Sequence, residues 1–294
     1  AAIKQGAYDF IEKPFNIDQL LVVIRRAMET SRLRRENQNL KRRDVATSEM
    51  IGTSAPYRAL LGQLDKVTKS NGRVMLTGPA GSGKEVAARY IHAHSARASA
   101  PFVTVNCAAF SETLLESELF GHRKGAFTGA DRDKPGLFER AHRGSLFLDE
   151  VGETSPALQA KLLRVLQERE LLPVGGTRPQ SIDVRVIAAT NRPLQDEVER
   201  KRFRQDLFYR LAVFPILIPP LRDRLDDVLP LARHFIRKIG PGEGKAGCRL
   251  SQASERLLLT HTWPGNVREL ENEIQRALAL AVPDEVISPR LLSQ

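Results

Sequence analysis

The residues best able to do chemistry begin at Gly78. From there to Lys84 the chain reads Gly-Pro-Ala-Gly-Ser-Gly-Lys, the G-x-x-x-x-G-K spacing of a phosphate-binding loop, with Glu85 next. Gly78, Gly81 and Gly83 permit backbone angles and close approaches that a side chain would block, so main-chain N–H groups can converge on phosphate oxygens at a helix N-terminus. Lys84 adds a mobile positive charge where the outer phosphates should lie. Glu85 stands where most such loops carry the Ser or Thr hydroxyl that binds magnesium. Asp149 and Glu150 follow the apolar run Leu146-Phe147-Leu148. A carboxylate at the end of a buried strand, opposite a phosphate loop, holds magnesium directly or through water, and the next carboxylate can polarise an attacking water. Paired with the loop, the two acids signal nucleotide hydrolysis. Asn191, past Ala-Ala-Thr, is placed to sense a γ-phosphate or orient water, and Asn106 to hold Glu150 through a hydrogen bond; either could equally cap its strand end. Arg204 and Arg210 carry rigid forks suited to the charge on a transferring phosphoryl group when a neighbour supplies them, or they form surface ion pairs.

These residues need a scaffold. A short apolar strand, Val74 to Leu76, enters the phosphate loop, and Lys84 opens an amphipathic helix with Val86, Ala87, Tyr90 and Ile91 as its apolar positions. A helix over 56–68 precedes it. Further strands are expected at 101–106, apolar enough to be buried on both faces, at 145–149 and at 184–190, with helical segments between them. Such alternation predicts an α/β domain with a parallel sheet flanked by helices and ligands at the carboxyl ends of the strands. After Pro219-Pro220-Leu221-Arg222 the strands stop. Helices over 226–239, 251–261 and 266–281 then predict a small all-α domain. Asn266 reads as an N-cap, with Glu269 completing a capping box. Arg268, in the first turn, does not favour the helix dipole, a cost that contact with a nucleotide would explain.

The 294 residues suffice for a main domain and one or two smaller units. No run approaches the roughly 18 apolar residues of a membrane span, and no signal peptide opens the chain. Cys107 and Cys248 make neither a disulfide framework nor a zinc site, as suits a reducing cytoplasm. The net charge of +10, from 45 basic and 35 acidic residues, fits nucleic acid but also nucleotide phosphates and a neighbouring subunit. Charge alone does not choose between them.

Glu118-Leu-Phe-Gly-His122 and Gly125-Ala-Phe-Thr-Gly-Ala130, with the phosphate loop and the Leu-Phe-Leu-Asp-Glu strand, resemble the AAA+ domain of bacterial enhancer-binding proteins, the sigma-54-dependent transcriptional activators. The hexapeptide is close to unique to that family, and the resemblance covers nearly all of residues 48–294. It implies an AAA+ P-loop ATPase domain over 47–222, a helical lid over 223–294, and ATP with Mg2+. By resemblance Lys84, Asp149, Glu150, Asn106 and Asn191 are catalytic, and Arg204 and Arg210 are trans-acting arginine fingers. Ile51, Gly52, Gly78, Pro79, Ala80, Gly81, Ser82, Gly83, Lys84, Glu85 and Arg268 meet the nucleotide, and Asp149 and Glu85 the metal. Glu85 is usual for the family; Pro79-Ala80 departs from it at positions the phosphates need not touch. Gly125, Ala126, Phe127, Thr128, Gly129 and Ala130 imply contact with sigma-54 RNA polymerase holoenzyme, where Phe127 on a flexible tip is a partner anchor. The bare hexapeptide would otherwise read as a Gly-rich turn with a buried Phe. The segment Val151 to Ala157, ending in a helix start at Ser155-Pro156, is expected to couple nucleotide state to that loop. The family implies a homo-oligomer, from dimer to hexameric or heptameric ring, in the cytoplasm and without a membrane. Enhancer DNA would be bound only through a C-terminal helix-turn-helix domain absent from this chain. The competing expectations are a generic AAA+ remodelling ATPase and a non-hydrolysing nucleotide-binding scaffold.

Residues 1–15, with Lys13-Pro14, resemble the last strand of a response-regulator receiver domain, which implies control by a two-component phosphorelay. Apolar residues at Ile17, Leu20, Leu21, Ile24, Ala27 and Met28 have helical spacing. The pattern resumes out of phase at Leu33 and Leu40. Residues 16–46 thus read as the receiver's final helix running into a linker, either a short coiled coil or a single solvated helix.

Overall fold

Five parallel strands form the main sheet of the computed structural model, which describes residues 49–293 together with Arg25 and Met28. The expectations for the receiver fragment and the linker helix lie outside the described residues. The strands are β1 (Val74–Thr77), β2 (Phe102–Asn106), β3 (Ser145–Asp149), β4 (Arg185–Thr190) and β5 (Phe214–Leu217), in the order β2-β3-β4-β1-β5. Register aligns Asn106 with Asp149 and Thr77 with Thr190. The carboxyl ends of β1 to β4 therefore lie along one edge, where a parallel sheet binds ligands.

Alternation along the strands divides the core between the sheet's two faces. Met75, Leu146, Leu148, Val186 and Ala188 pack with Leu119 of helix α3 (Glu112–Phe120) and with Leu162 and Leu166 of α4 (Pro156–Glu168). Val74, Leu76, Phe147, Ile187 and Ala189 pack instead with Leu60 and Leu64 of α1 (Ala55–Thr68) and with Ala87 and Ile91 of α2 (Lys84–Ala93). Burial on both faces explains the nearly continuous apolar runs of β3 and β4. Caps set the helix starts. Ser54 and Ser155 each accept a main-chain N–H three residues on, and a proline follows within the first turn of α1 and of α4.

Two strands differ from expectation. Strand β2 is not buried on both faces: it lies at the sheet edge with β3 as its neighbour, and Val105 alone is fully buried. Strand β5, absent from the sequence reading, covers the other edge beside β1. Pro215 in its middle lacks a ladder donor, which an edge strand tolerates. The helical lid, α6 (Val228–Ile239), α7 (Gln252–Thr260) and α8 (Asn266–Leu280), has its own core around Leu231, Phe235, Trp263, Leu270, Ile274 and Leu278. Among the described residues no helix is long and apolar enough to cross a membrane.

Candidate functional site

The phosphate loop links β1 to α2 through glycines in left-handed backbone, Gly81 at φ +73° and Gly83 at φ +103°. Gly83 is the N-cap of α2, so that helix opens at the loop with its N–H groups. Lys84 is only 6% exposed. Its Nζ donates to the carbonyls of Gly78 (3.0 Å) and Pro79 (3.3 Å) and lies 3.6 Å from Glu150 Oε1. Buried Ser82 Oγ has no hydrogen-bond partner among the described residues.

The two acids leave the end of β3. Asp149 Oδ1 accepts the Glu150 N–H at 3.1 Å. Burial pushes the Asp149 carboxyl up, the Glu150 charge adds to this, and Lys84 opposes it. Glu150 sits at φ +51°, ψ +48°, a costly conformation for a non-glycine residue. It turns the carboxylate between the Lys84 ammonium, an ion pair at 3.6 Å from Oε1, and the Asn191 N–H, a donor 3.0 Å from Oε2. Asn191 thus joins the site through its main chain, while its side chain lies at an exposed position. The expected bond from Asn106 to Glu150 is not formed. Asn106 Oδ1 instead accepts the Ala108 N–H at 2.9 Å and closes the turn Cys107–Ala109. Cys107 is buried there, and burial followed by the two neighbouring acids pushes its thiol up to about 12.

Glu85 points outward and receives Nε (3.2 Å) and Nη2 (2.7 Å) of Arg89 on its Oε1. Arg204 flanks α5 (Gln205–Leu211) at its N-cap and forks onto Asp206 at 3.0 and 2.7 Å, both side chains exposed. Arg210, in the last turn, is also exposed. Among the described residues neither guanidinium hydrogen-bonds or ion-pairs with Lys84, Asp149 or Glu150.

The lid closes directly on the phosphate loop. Val267 and Arg268 donate their N–H groups to the Gly81 carbonyl at 3.0 and 3.3 Å. Asn266 is not the N-cap of α8; Gly265 is, and Glu269 supplies one half of the expected capping box by accepting the Gly265 N–H at 2.7 Å. The Asn266 amide is used elsewhere: Oδ1 accepts Leu221 N–H (2.9 Å) and Nδ2 donates to Ala80 O (3.0 Å). A Cβ on Gly81 would come within 2.3 Å of Gly265 O and 3.1 Å of Arg268 Cβ. Gly81→Ala should therefore push the lid off the loop and strain a left-handed residue, costing about 1–3 kcal/mol. The loss should appear as a lowered Tm and weakened ATP binding; an unchanged pair of values would refute this contact as built.

Sequence reading missed the turn at 224–227. Arg224 is buried and donates Nη2 to Ser82 O at 2.7 Å; burial lowers its pKa, against the pull of Asp227. Asp227, fully buried, accepts the N–H groups of Thr53 (2.6 Å) and Ser54 (2.8 Å) and the Ser54 hydroxyl (2.8 Å). In sequence the stretch is a charged linker, and only the preceding Pro-Pro marks a break. Ile51 and Gly52 stand just before this clamp, half-buried.

The second candidate surface is the loop 125–130. Gly125 donates to Ala130 O at 2.9 Å and Ala130 to Phe127 O at 3.0 Å, closing the loop on itself. Gly125 and Gly129 sit at φ +81° and +99°. Phe127 is 43% exposed, with its ring edge-on to buried His122, 4.9 Å between centroids. Thr128 is exposed, but Ala130 is buried and lies beneath the surface rather than on it. A segment that does pack on the loop is 174–175. Val174 exchanges main-chain hydrogen bonds with Gly121 (2.9 Å) and Arg123 (3.0 Å), and Gly175 lies against Ala126. Residues 151–153 form a 3-10 turn, and Ser155 Oγ reaches α3 at Glu112.

A family model described as Sigma-54 interaction domain matches residues 50–217, and one described as AAA+ ATPase lid domain matches 222–294. Transcriptional regulatory protein ZraR of Klebsiella oxytoca is 47% identical over 291 residues, 99% of this chain and 65% of the relative. Regulatory protein AtoC of Escherichia coli (strain K12) is 46% identical, over 95% of this chain and 61% of the relative. This chain thus spans less than two thirds of those proteins. Crystal structures of NtrX from Brucella abortus in complex with ADP and with ATP each superpose with a TM-score of 0.83 at 40% identity, covering 99% of this chain and 63% of theirs.

Proposed function

The chain belongs to the Sigma-54 interaction domain family, with an AAA+ ATPase lid domain behind it, and from that premise we propose that it hydrolyses ATP to remodel sigma-54 RNA polymerase. The observation that carries this reading is the convergence of Lys84 and the Asn191 N–H on Glu150, beside a glycine loop capped by the lid. A carboxylate gripped from two sides at the end of a buried strand is oriented to take a proton from water. Lys84 exchanges its carbonyl partners for phosphate oxygens, and the loop N–H groups hold the same oxygens at the start of α2.

Open space at Gly83, where an added Cβ meets nothing within 4 Å, and left-handed backbone at both later glycines support a phosphate chain at this loop. Asp149 would hold magnesium, with Glu85 a further carboxylate already engaged on one oxygen by Arg89. Magnesium keeps several waters and binds through one or two carboxylates together with phosphate oxygens, a demand that Asp149 beside the loop can meet. When bound, magnesium supplies neutralisation of charge on the phosphate oxygens.

In this reading Gly125 to Gly129 engage sigma-54, with Phe127 as the apolar anchor, and the ring brings Arg204 and Arg210 to a neighbour's nucleotide. Receiver control through residues 1–46, and enhancer DNA held by a separate domain, complete the proposal. Phe127→Ala and Thr128→Ala should keep ATPase activity within about twofold, because surface substitutions away from the site cost little. Both should lose capture of sigma-54 in the presence of a transition-state analogue of hydrolysis. Normal capture by both variants would remove the loop from the partner surface.

A further inference from the structure

The turn that sequence reading missed bears on which nucleotide the site accepts. Asp227 is fully buried and spends both oxygens on residues 53–54, far away in sequence. Ser54 Oγ in turn accepts the Tyr57 N–H at 3.1 Å and caps α1. Tyr57 Oη donates to Met50 O at 2.8 Å. The segment 50–54 is thereby fixed at both ends, by Tyr57 at Met50 and by Asp227 at Thr53 and Ser54. Gly52 lies close against both anchors: a Cβ there would meet the Tyr57 ring at 2.5 Å and Asp227 Cγ at 3.0 Å.

Between the two fixed ends, Ile51 and Gly52 are half-buried, yet among the described residues their main-chain N–H and C=O groups make no hydrogen bond. Buried or half-buried main-chain groups are normally paired, so a rigid, unpaired edge is suited to a ligand that supplies the missing partners. A planar ring presenting one acceptor beside one donor fits such an edge. Adenine offers that pair with its N1 and 6-amino group, while guanine reverses it with O6 and N1–H. Arg224, in the same turn, grips Ser82 O on the phosphate side. One turn at the start of α6 thus holds both ends of the site.

We propose that Asp227 is a positioning residue that fixes the Ile51–Gly52 edge for a 6-aminopurine and so sets discrimination between ATP and GTP. This rests on the reading of the site as an ATP site. The test measures affinities of the whole chain for fluorescent ATP and GTP, with inorganic tripolyphosphate as competitor and thermal melts to verify folding. The parent chain should favour ATP by roughly tenfold or more, because a site that pairs a polar edge rejects its mismatch strongly. Asp227→Ala should shrink that ratio by on the order of tenfold while tripolyphosphate binding stays unchanged, and Asp227→Asn, which keeps an acceptor for the Thr53 and Ser54 N–H groups, should recover most of it. Should Asp227→Ala fail to fold, Ser54→Ala removes one of the three bonds and should move the ratio in the same direction by less. An equal loss for ATP, GTP and tripolyphosphate, or an unchanged ratio in both Asp227→Ala and Ser54→Ala, overturns the assignment and leaves the ATP site standing. If the parent chain does not bind ATP, or Lys84→Ala leaves ATP binding intact, the site reading itself falls.

Discussion

Glu150→Gln should abolish turnover while ATP still binds, and Lys84→Ala should lose both. The two side chains face each other at 3.6 Å, but they act on different species. Glutamine keeps the shape of Glu150 and can still accept the Asn191 N–H, now at 3.0 Å from Oε2. What it cannot do is accept a proton from water, a role worth about 10²–10⁴ in rate. Lys84 is buried against the Gly78 and Pro79 carbonyls, partners that a phosphate oxygen outcompetes because both sides of that contact carry charge. Its removal takes away ground-state binding as well as transition-state stabilisation. Calorimetric ATP titration beside phosphate release separates the two. Equal ATP affinity in Lys84→Ala and the parent chain, or normal phosphate release by Glu150→Gln, would reassign the roles.

What the sequence disclosed was the part of the site carried by local pattern. The loop glycines, Lys84 and the acids after Leu148 are adjacent in the chain, and their roles follow from a strand, a turn and a helix start. The α/β alternation was legible for the same reason, because β3 and β4 are buried on both faces and read as continuous apolar runs. Strand β5 escaped because Pro215 breaks the pattern, and β2 was placed too deep because edge and centre differ in neighbours rather than in composition. Long-range polar contacts were invisible. Asn266 has the residue type of an N-cap but spends its amide on Ala80 and Leu221, contacts that depend on the lid's approach to the loop. Asp227 and Arg224 look like solvated linker charges until 53–54 and Ser82 are brought against them. The same holds for the loop 125–130, whose neighbour Val174–Gly175 lies on a segment some fifty residues on.

Arg204→Ala and Arg210→Ala should each lower turnover by about 10³ or more with nucleotide binding largely intact, since a finger acts on charge that develops only in the transition state. The two arginines start from different positions. Arg204 is parked on Asp206 in an exposed pair, a contact worth only about 0–1 kcal/mol. A phosphoryl group can therefore recruit it at little cost. Arg210 makes no ion pair among the described residues. Its carbonyl is held at 2.7 Å by Arg73, whose guanidinium has its pKa lowered by burial and then by the charges of Arg210 and Arg169. An anion arriving at Arg210 would relieve that crowding of like charges. Among the described residues neither arginine pairs with Asp149 or Glu150 of its own chain, as expected of groups that serve a neighbour. Mixing Lys84→Ala with Arg210→Ala subunits supplies the decisive measurement. Each is inactive alone, but some interfaces in the mixture pair the intact loop of one with the intact arginine of the other, so phosphate release should recover in part. Two independent, self-contained sites would give no recovery at any ratio, and full turnover by both Arg204→Ala and Arg210→Ala would end the shared-site reading altogether.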